Sequence, residues 1–177
     1  MKQYLDENKI TQNFREKLKD DHLYEKHKKS SKNSWLRPIL ILVEYFMSDD
    51  PKPKRIQTND FHVEHILPQK PTLSSQWAKD FSEEERERYT HSLANLTLLG
   101  GKKNTKALSQ ALNQDFKEKK EIYMGKPVAL DNKKTFKVMT CYDMTKNDVC
   151  RYTEWTPKSL EKREKDLMSI IESVLTL

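Results

Sequence analysis

The chain has 177 residues, 34% charged and 35% hydrophobic, with a net charge of +6 at pH 7 and a sequence pI near 9.1. That length is enough for one domain with a real core, and the basic balance favours an anionic partner such as nucleic acid. The longest apolar run, 39–43, is far too short to cross a bilayer; no signal peptide is visible; and only three glycines argue for helix over a β-sandwich. Two cysteines, Cys141 and Cys150, form no CxxC motif. A reduced, cytoplasmic protein is the simplest reading, with a disulfide or zinc pair as the alternative.

Residues 1–34 form a polar lead-in. Phe14 and Leu18 are spaced for one helical face, which Leu23 and Tyr24 continue, and Lys26, Lys28, Lys29 and Lys32 follow in what reads as a mobile loop. A helix is expected over 34–47, with Ser34 as cap and Pro38 in the first turn. Ile39, Leu40, Ile41, Leu42, Val43, Tyr45 and Phe46 cover most of its circumference, so burial on several sides is expected. A buried strand is the alternative for so short an apolar run. Asp49-Asp50-Pro51 breaks the element, and 58–67 reads as a strand that Pro68 and Pro71 stop.

The stretch 72–91 suggests two short helices. Trp77 and Phe81 mark the apolar face of the first, and Ser82 with Glu85 is a capping-box signature for the second. A returning strand is expected over 96–99, then a Gly100-Gly101 turn, then a helix from about Asn104 to Tyr123 with Ala107, Leu108, Ala111, Leu112 and Phe116 as its apolar stripe. Gly125-Lys126-Pro127 ends that helix. Within 131–152 only 135–140 reads as a short strand. Thr156-Pro157 starts a terminal helix with Leu160, Leu167, Ile170, Ile171 and Val174 on one face.

Three motifs stand in order: Glu64-His65-Ile66-Leu67-Pro68-Gln69, then Asn95-Leu96-Thr97-Leu98-Leu99, then Asn104 with Asn113-Gln114-Asp115-Phe116 and Lys119. The set resembles an HNH (His-Me finger) nuclease, and its flanks resemble the C-terminal nuclease domain of GmrSD-type modification-dependent restriction enzymes. The resemblance runs from Trp35 to Leu177. The family usually has Gly before the middle Asn, where this chain has Ala94; alanine is strained in any turn that needs positive φ.

The resemblance implies phosphodiester hydrolysis, which needs a base for water, a cation on the phosphate and stabilisation of the leaving oxygen. His65 is the candidate base, since imidazole titrates near neutral pH. In the family the middle Asn fixes the tautomer of that His, so the Asn95 side-chain carbonyl is expected to accept the ring N–H. Glu64 and Asn104, a carboxylate and an amide carbonyl, are the candidate metal ligands and suit Mg²⁺ or Mn²⁺. His62 and Asn113 are candidate accessory residues, and His62 shares a face with Glu64 if the strand is regular. Glu64 and His65 are neighbours and face opposite ways unless the strand bends or ends there. Taken singly, His65 reads as a core histidine and Asn95 and Asn104 as turn and cap residues; His91 reads as structural. The ordered set tips the balance to catalysis.

From 102 to 120 there are six lysines against Asp115 and Glu118. Lys102, Lys103 and Lys106 lie beside the proposed metal and are expected to grip the flanking phosphates; Lys117, Lys119 and Lys120 are expected to be mostly solvated.

The expected fold is therefore α+β, a ββα-metal finger surrounded by helices and mainly helical overall. Residues 1–177 read as a single domain: lead-in 1–34, buried helix and linker 35–57, finger with helical insert 58–123, and extension with terminal helix 124–177. The expected function is a metal-dependent double-stranded DNA endonuclease or nickase that restricts foreign (phage or modified) DNA. By the resemblance it works with an N-terminal nucleotide-hydrolysing or sensing domain or subunit, for which this chain has no phosphate-loop motif. The alternative is a non-catalytic DNA-binding or assembly module that retains the finger fold.

Overall fold

The computed structural model describes residues 3–4, 9–25, 35–48, 56, 61–100, 111–129, 135–138 and 142–175. Over these the fold is α+β, mostly helical, with a small two-stranded antiparallel sheet at its centre and a second, shorter ribbon. Helix α1 spans Ile10–Leu18 and buries Leu18 fully; Leu23 and Tyr24 continue that apolar face after the helix has ended.

Helix α2, Leu36–Met47, buries Leu36, Leu40 and Val43, whose spacings of four and three define one face. Burial on several sides is not observed: Leu42, Tyr45 and Phe46 are 37%, 41% and 54% exposed. The inner face also carries the fully buried Glu44. That carboxylate accepts hydrogen bonds from the backbone N–H groups of Asp143 and Met144, both at 2.9 Å. A buried carboxylate needs such donors, and the start of a helical turn supplies them. Glu44 thereby ties α2 to the π-helical turn Met144–Asp148.

Strand β1, Phe61–His65, pairs antiparallel with β2, Leu96–Gly100, in an unbroken register from Phe61 opposite Gly100 to His65 opposite Leu96. The two faces of this ribbon feed different cores. Phe61, Val63, Leu96 and Leu98 join the cluster built on α1, α2 and the later part of the terminal helix, whereas Leu99 joins the cluster of Trp77, Phe81, Phe116, Tyr123 and Trp155. β2 is buried along its whole length and both ends of β1 are buried, so the half-buried part of the ribbon is the middle of β1, His62 to Glu64.

The insert between the strands is helical, as its sequence suggests. Helix α3 is Gln76–Asp80, with Trp77 buried, and α4 is Glu83–Thr90. Ser82 and Glu85 form the reciprocal capping box: Glu85 N–H donates to Ser82 Oγ at 3.2 Å and Ser82 N–H donates to Glu85 Oε2 at 2.8 Å. Ala94 lies in a single 3₁₀ turn, Leu93–Asn95, before β2. Among the described residues the only non-glycine with positive φ is Lys9, so alanine is unstrained where the family usually has glycine.

The helix expected from 104 to 123 is not continuous. Residues 101–110 lie outside the described residues; Ala111 is helical, the chain turns at 112–115, and α5 runs from Phe116 to Tyr123. The break has a tertiary cause. The Gln76 N–H donates to Asp115 Oδ1 at 3.0 Å and the Trp77 indole N–H donates to the Gln114 carbonyl at 2.9 Å, so α3 holds the turn open. Strands β3, Val128–Ala129, and β4, Thr135–Phe136, form the second ribbon. The latter is the start of the strand expected over 135–140.

Helix α6, Pro157–Leu175, begins at its Thr-Pro signal and buries Leu160, Leu167 and Ile171. Arg163 lies in the same stripe and is fully buried. Its Nε donates to Asp148 Oδ2 at 2.7 Å, and its Nη1 donates to the carbonyls of Ala94 and Leu96 at 2.5 and 2.8 Å. Asp148→Ala is expected to cost about 3–5 kcal/mol, because it leaves the guanidinium buried without a counter-charge. Urea unfolding measures this, and a loss under about 1 kcal/mol would show that the two carbonyls suffice. Among the described residues no helix is long and apolar enough to cross a membrane.

Candidate active site

His65 closes β1, and its ring is held from three sides. The ring of Tyr24 lies 5.6 Å away between centroids, and that of His91 lies 5.1 Å away at an interplanar angle of 87°. His65 Nε2 meets His91 Nδ1 at 3.2 Å, and His65 Nδ1 meets the side-chain amide nitrogen of Gln69 at 2.9 Å. The side chain is 7% exposed, and it faces the solvent-accessible Gln69.

Asn95 is fully buried, and its amide is spent elsewhere than on the imidazole. Oδ1 accepts the Leu67 N–H at 2.7 Å and the Trp155 indole N–H at 3.2 Å; Nδ2 donates to the carbonyls of Leu67 at 3.0 Å and Thr90 at 2.8 Å. The expected Asn95–His65 hydrogen bond is therefore not formed. A primary amide can bind both the N–H and the C=O of one residue, as a strand neighbour would, and Asn95 does so with Leu67. It clamps the loop that follows His65, and the Ile66 N–H, which donates to the Asn95 backbone carbonyl at 2.9 Å, adds to the clamp.

Glu64 leaves β1 on the opposite face, as strand alternation requires with no bend between the two residues. Its Oε1 lies 3.0 Å from Lys119 Nζ and accepts a long hydrogen bond of 3.5 Å from the Tyr123 hydroxyl. Lys119, expected to be solvated, is fully buried on α5. Besides Glu64 it donates to the carbonyls of His65 at 2.7 Å and Ile66 at 2.6 Å. Three oxygens match the three protons of an ammonium group, so the terminus of β1 is stapled by a charged lysine. Burial lowers its pKa, and the Glu64 charge and hydrogen bond act the other way. The Tyr123 hydroxyl is pushed well above its usual range, first by burial and then by the Glu64 charge. Of the other two lysines in that group, Lys117 is exposed, while Lys120 is half-buried and donates to the Tyr152 carbonyl at 2.7 Å.

The remaining sequence candidates divide. His62 shares the Glu64 face and is half-buried. Asn113 lies in the turn before α5 and donates to the Lys70 carbonyl at 3.2 Å, which ties that turn to the loop after β1. Asn104, Lys102, Lys103 and Lys106 lie outside the described residues. His65, Asn95 and Glu64 do converge on the end of the ribbon, but with Glu64 and His65 on opposite sides of it. A substrate that touches both must lie across the strand terminus. His91, Gln69 and Lys119 are the additions the structure makes. Lys119 carried a signal in the sequence, since it falls on the same helical stripe as Phe116, Ile122 and Tyr123.

An antiparallel ribbon ending in a carboxylate and a held imidazole, with a buried Asn clamping the following loop, gives the class of site, one of polar chemistry at a strand end. The family model for the C-terminal domain of GmrSD restriction endonucleases matches residues 9–170, and the chain belongs to that family. A comparison with curated proteins found no match.

Proposed function

We propose that this chain is a metal-dependent DNA endonuclease or nickase of the HNH type, built on a ββα-metal finger and acting in restriction of foreign DNA. The observation that carries the reading is His65 at the end of β1, with its ring hydrogen-bonded at both nitrogens, next in sequence to a carboxylate that leaves the strand on the opposite face. All partners of Glu64 among the described residues are on Oε1. Oε2 carries no hydrogen bond or ion pair to them, and Glu64 with Asn104 would hold Mg²⁺ or Mn²⁺ there. Such an ion, when bound, neutralises the phosphate and the charge that develops on the leaving oxygen. The remaining chemistry belongs to the chain. His65 takes a proton from the attacking water, the water oxygen bonds to phosphorus, and the bond from phosphorus to the departing sugar oxygen breaks with its electron pair on that oxygen. Lys119 and Asn95 fix the strand end and the loop, so the imidazole does not wander. Lys102, Lys103 and Lys106 grip the flanking phosphates, and a nucleotide-hydrolysing or sensing domain or subunit directs the cut.

Supercoiled plasmid is the test substrate. Nicking or linearisation is expected with Mg²⁺ or Mn²⁺ and none in excess EDTA, and Glu64→Ala is expected to raise the metal concentration needed for half-maximal cutting. Undiminished cutting in EDTA would remove the metal from the mechanism. DNA binding without cutting under every metal would favour the non-catalytic DNA-binding reading.

A further inference from the structure

We propose that His91 is the positioning residue for the base: by accepting the proton on His65 Nε2 it leaves Nδ1 as the basic nitrogen, at the edge occupied by Gln69. The inference rests on the proposed role of His65. The proton arrangement follows from the partners. The group facing His65 Nδ1 at 2.9 Å is a primary amide nitrogen, which has protons to give and no lone pair to offer. Nδ1 therefore accepts, and the ring proton of neutral His65 is on Nε2. That proton points at His91 Nδ1, 3.2 Å away, which must accept, so His91 holds its own proton on Nε2. The near-perpendicular rings meet at these nitrogens instead of stacking.

His91 is well placed to hold a direction. It caps the C-terminal end of α4, its carbonyl accepts the Tyr24 N–H at 3.1 Å, and the turn that carries Asn95 begins two residues later. Tyr24 in turn packs on the His65 ring. Gln69 is different: it is exposed, on the loop after β1, and its amide can swing out to water. The attacking water then takes the place of the Gln69 amide and gives its proton to Nδ1. The imidazolium formed still donates from Nε2 to His91, and that hydrogen bond strengthens as the charge develops, which favours the transition state over the ground state. His91 thus does what the sequence assigned to Asn95, through ring nitrogen instead of amide oxygen.

The test is the tautomer of His65, read from the ring ¹⁵N chemical shifts of the full chain by long-range proton–nitrogen correlation, with no DNA and no metal present. The wild type is expected to show an unprotonated Nδ1 and a protonated Nε2. In His91→Leu the two His65 nitrogens are expected to move towards the averaged shifts of a mixed population. With plasmid, kcat is expected to fall about tenfold to a hundredfold, the usual loss when an outer hydrogen bond that orients a histidine is removed, with KM little changed. His91→Gln, whose side-chain carbonyl can accept the same proton, is expected to restore most of both. A wild-type His65 protonated on Nδ1 overturns the inference even if His65 is the base and even if His91→Leu fails to fold. Unchanged shifts and kcat within about twofold in a folded His91→Leu overturn it too. Because the tautomer is read without substrate, a chain that cuts nothing still decides the matter.

Discussion

His65→Ala is expected to lower DNA cleavage by about 10²–10⁴-fold, the range for a positioned acid–base group, while DNA affinity survives. The imidazole packs between Tyr24 and His91, so truncation also opens a small void beside two aromatic rings. His65→Gln fills more of that space and cannot serve as a base near neutral pH, so it separates lost chemistry from lost packing. Both variants are assayed on supercoiled plasmid with Mg²⁺ at matched folded fraction, and binding is followed by fluorescence anisotropy in Ca²⁺. Near-wild-type cutting by either folded variant would remove His65 from the role.

Asn95→Ala is expected to reduce stability by about 3–5 kcal/mol, as four buried groups lose their partner: the Leu67 N–H and carbonyl, the Thr90 carbonyl and the Trp155 indole N–H. For a chain of this size that corresponds to a fall in Tm of about 6–20 °C. Asn95→Asp is expected to do no better, because its second oxygen would face the carbonyls of Leu67 and Thr90 where the amide nitrogen now donates. Had Asn95 acted by fixing the His65 tautomer, its loss would lower kcat and leave stability almost intact. Chemical unfolding followed by Trp fluorescence decides between the two roles.

The elements most legible in the sequence were those specified by local chemistry. The capping box of α4, the Thr-Pro start of α6 and the returning strand at Leu96 stand where residues within a few positions of each other demand them. What escaped was set across the chain. Lys119 and Arg163 sit on apolar stripes, where a long cationic side chain reads as solvated unless its partners are known; those partners, Glu64 and Asp148, come from other elements. Asn95 bonds the loop and not the imidazole, since nothing local reveals that residues 28 and 60 positions away meet its amide. The same limit hid the break at 112–115: Gln114 and Asp115 continue a helical pattern until α3 claims them.

The clamp around Asn95 also fixes an order of events during synthesis. Trp155 and Arg163 reach back 60 to 69 residues to hold Asn95, Ala94 and Leu96. Contacts so distant in sequence incur their loop-closure entropy before any of them forms. A nascent chain that has emerged only as far as β3 and β4 has both strands of the ribbon and the imidazole, yet lacks the two side chains that fasten the loop behind it. The end of the ribbon that carries the imidazole is therefore expected to become rigid only once Trp155 and the last helix have docked, and a chain cut short before Trp155 is expected to hold its motifs without that clamp.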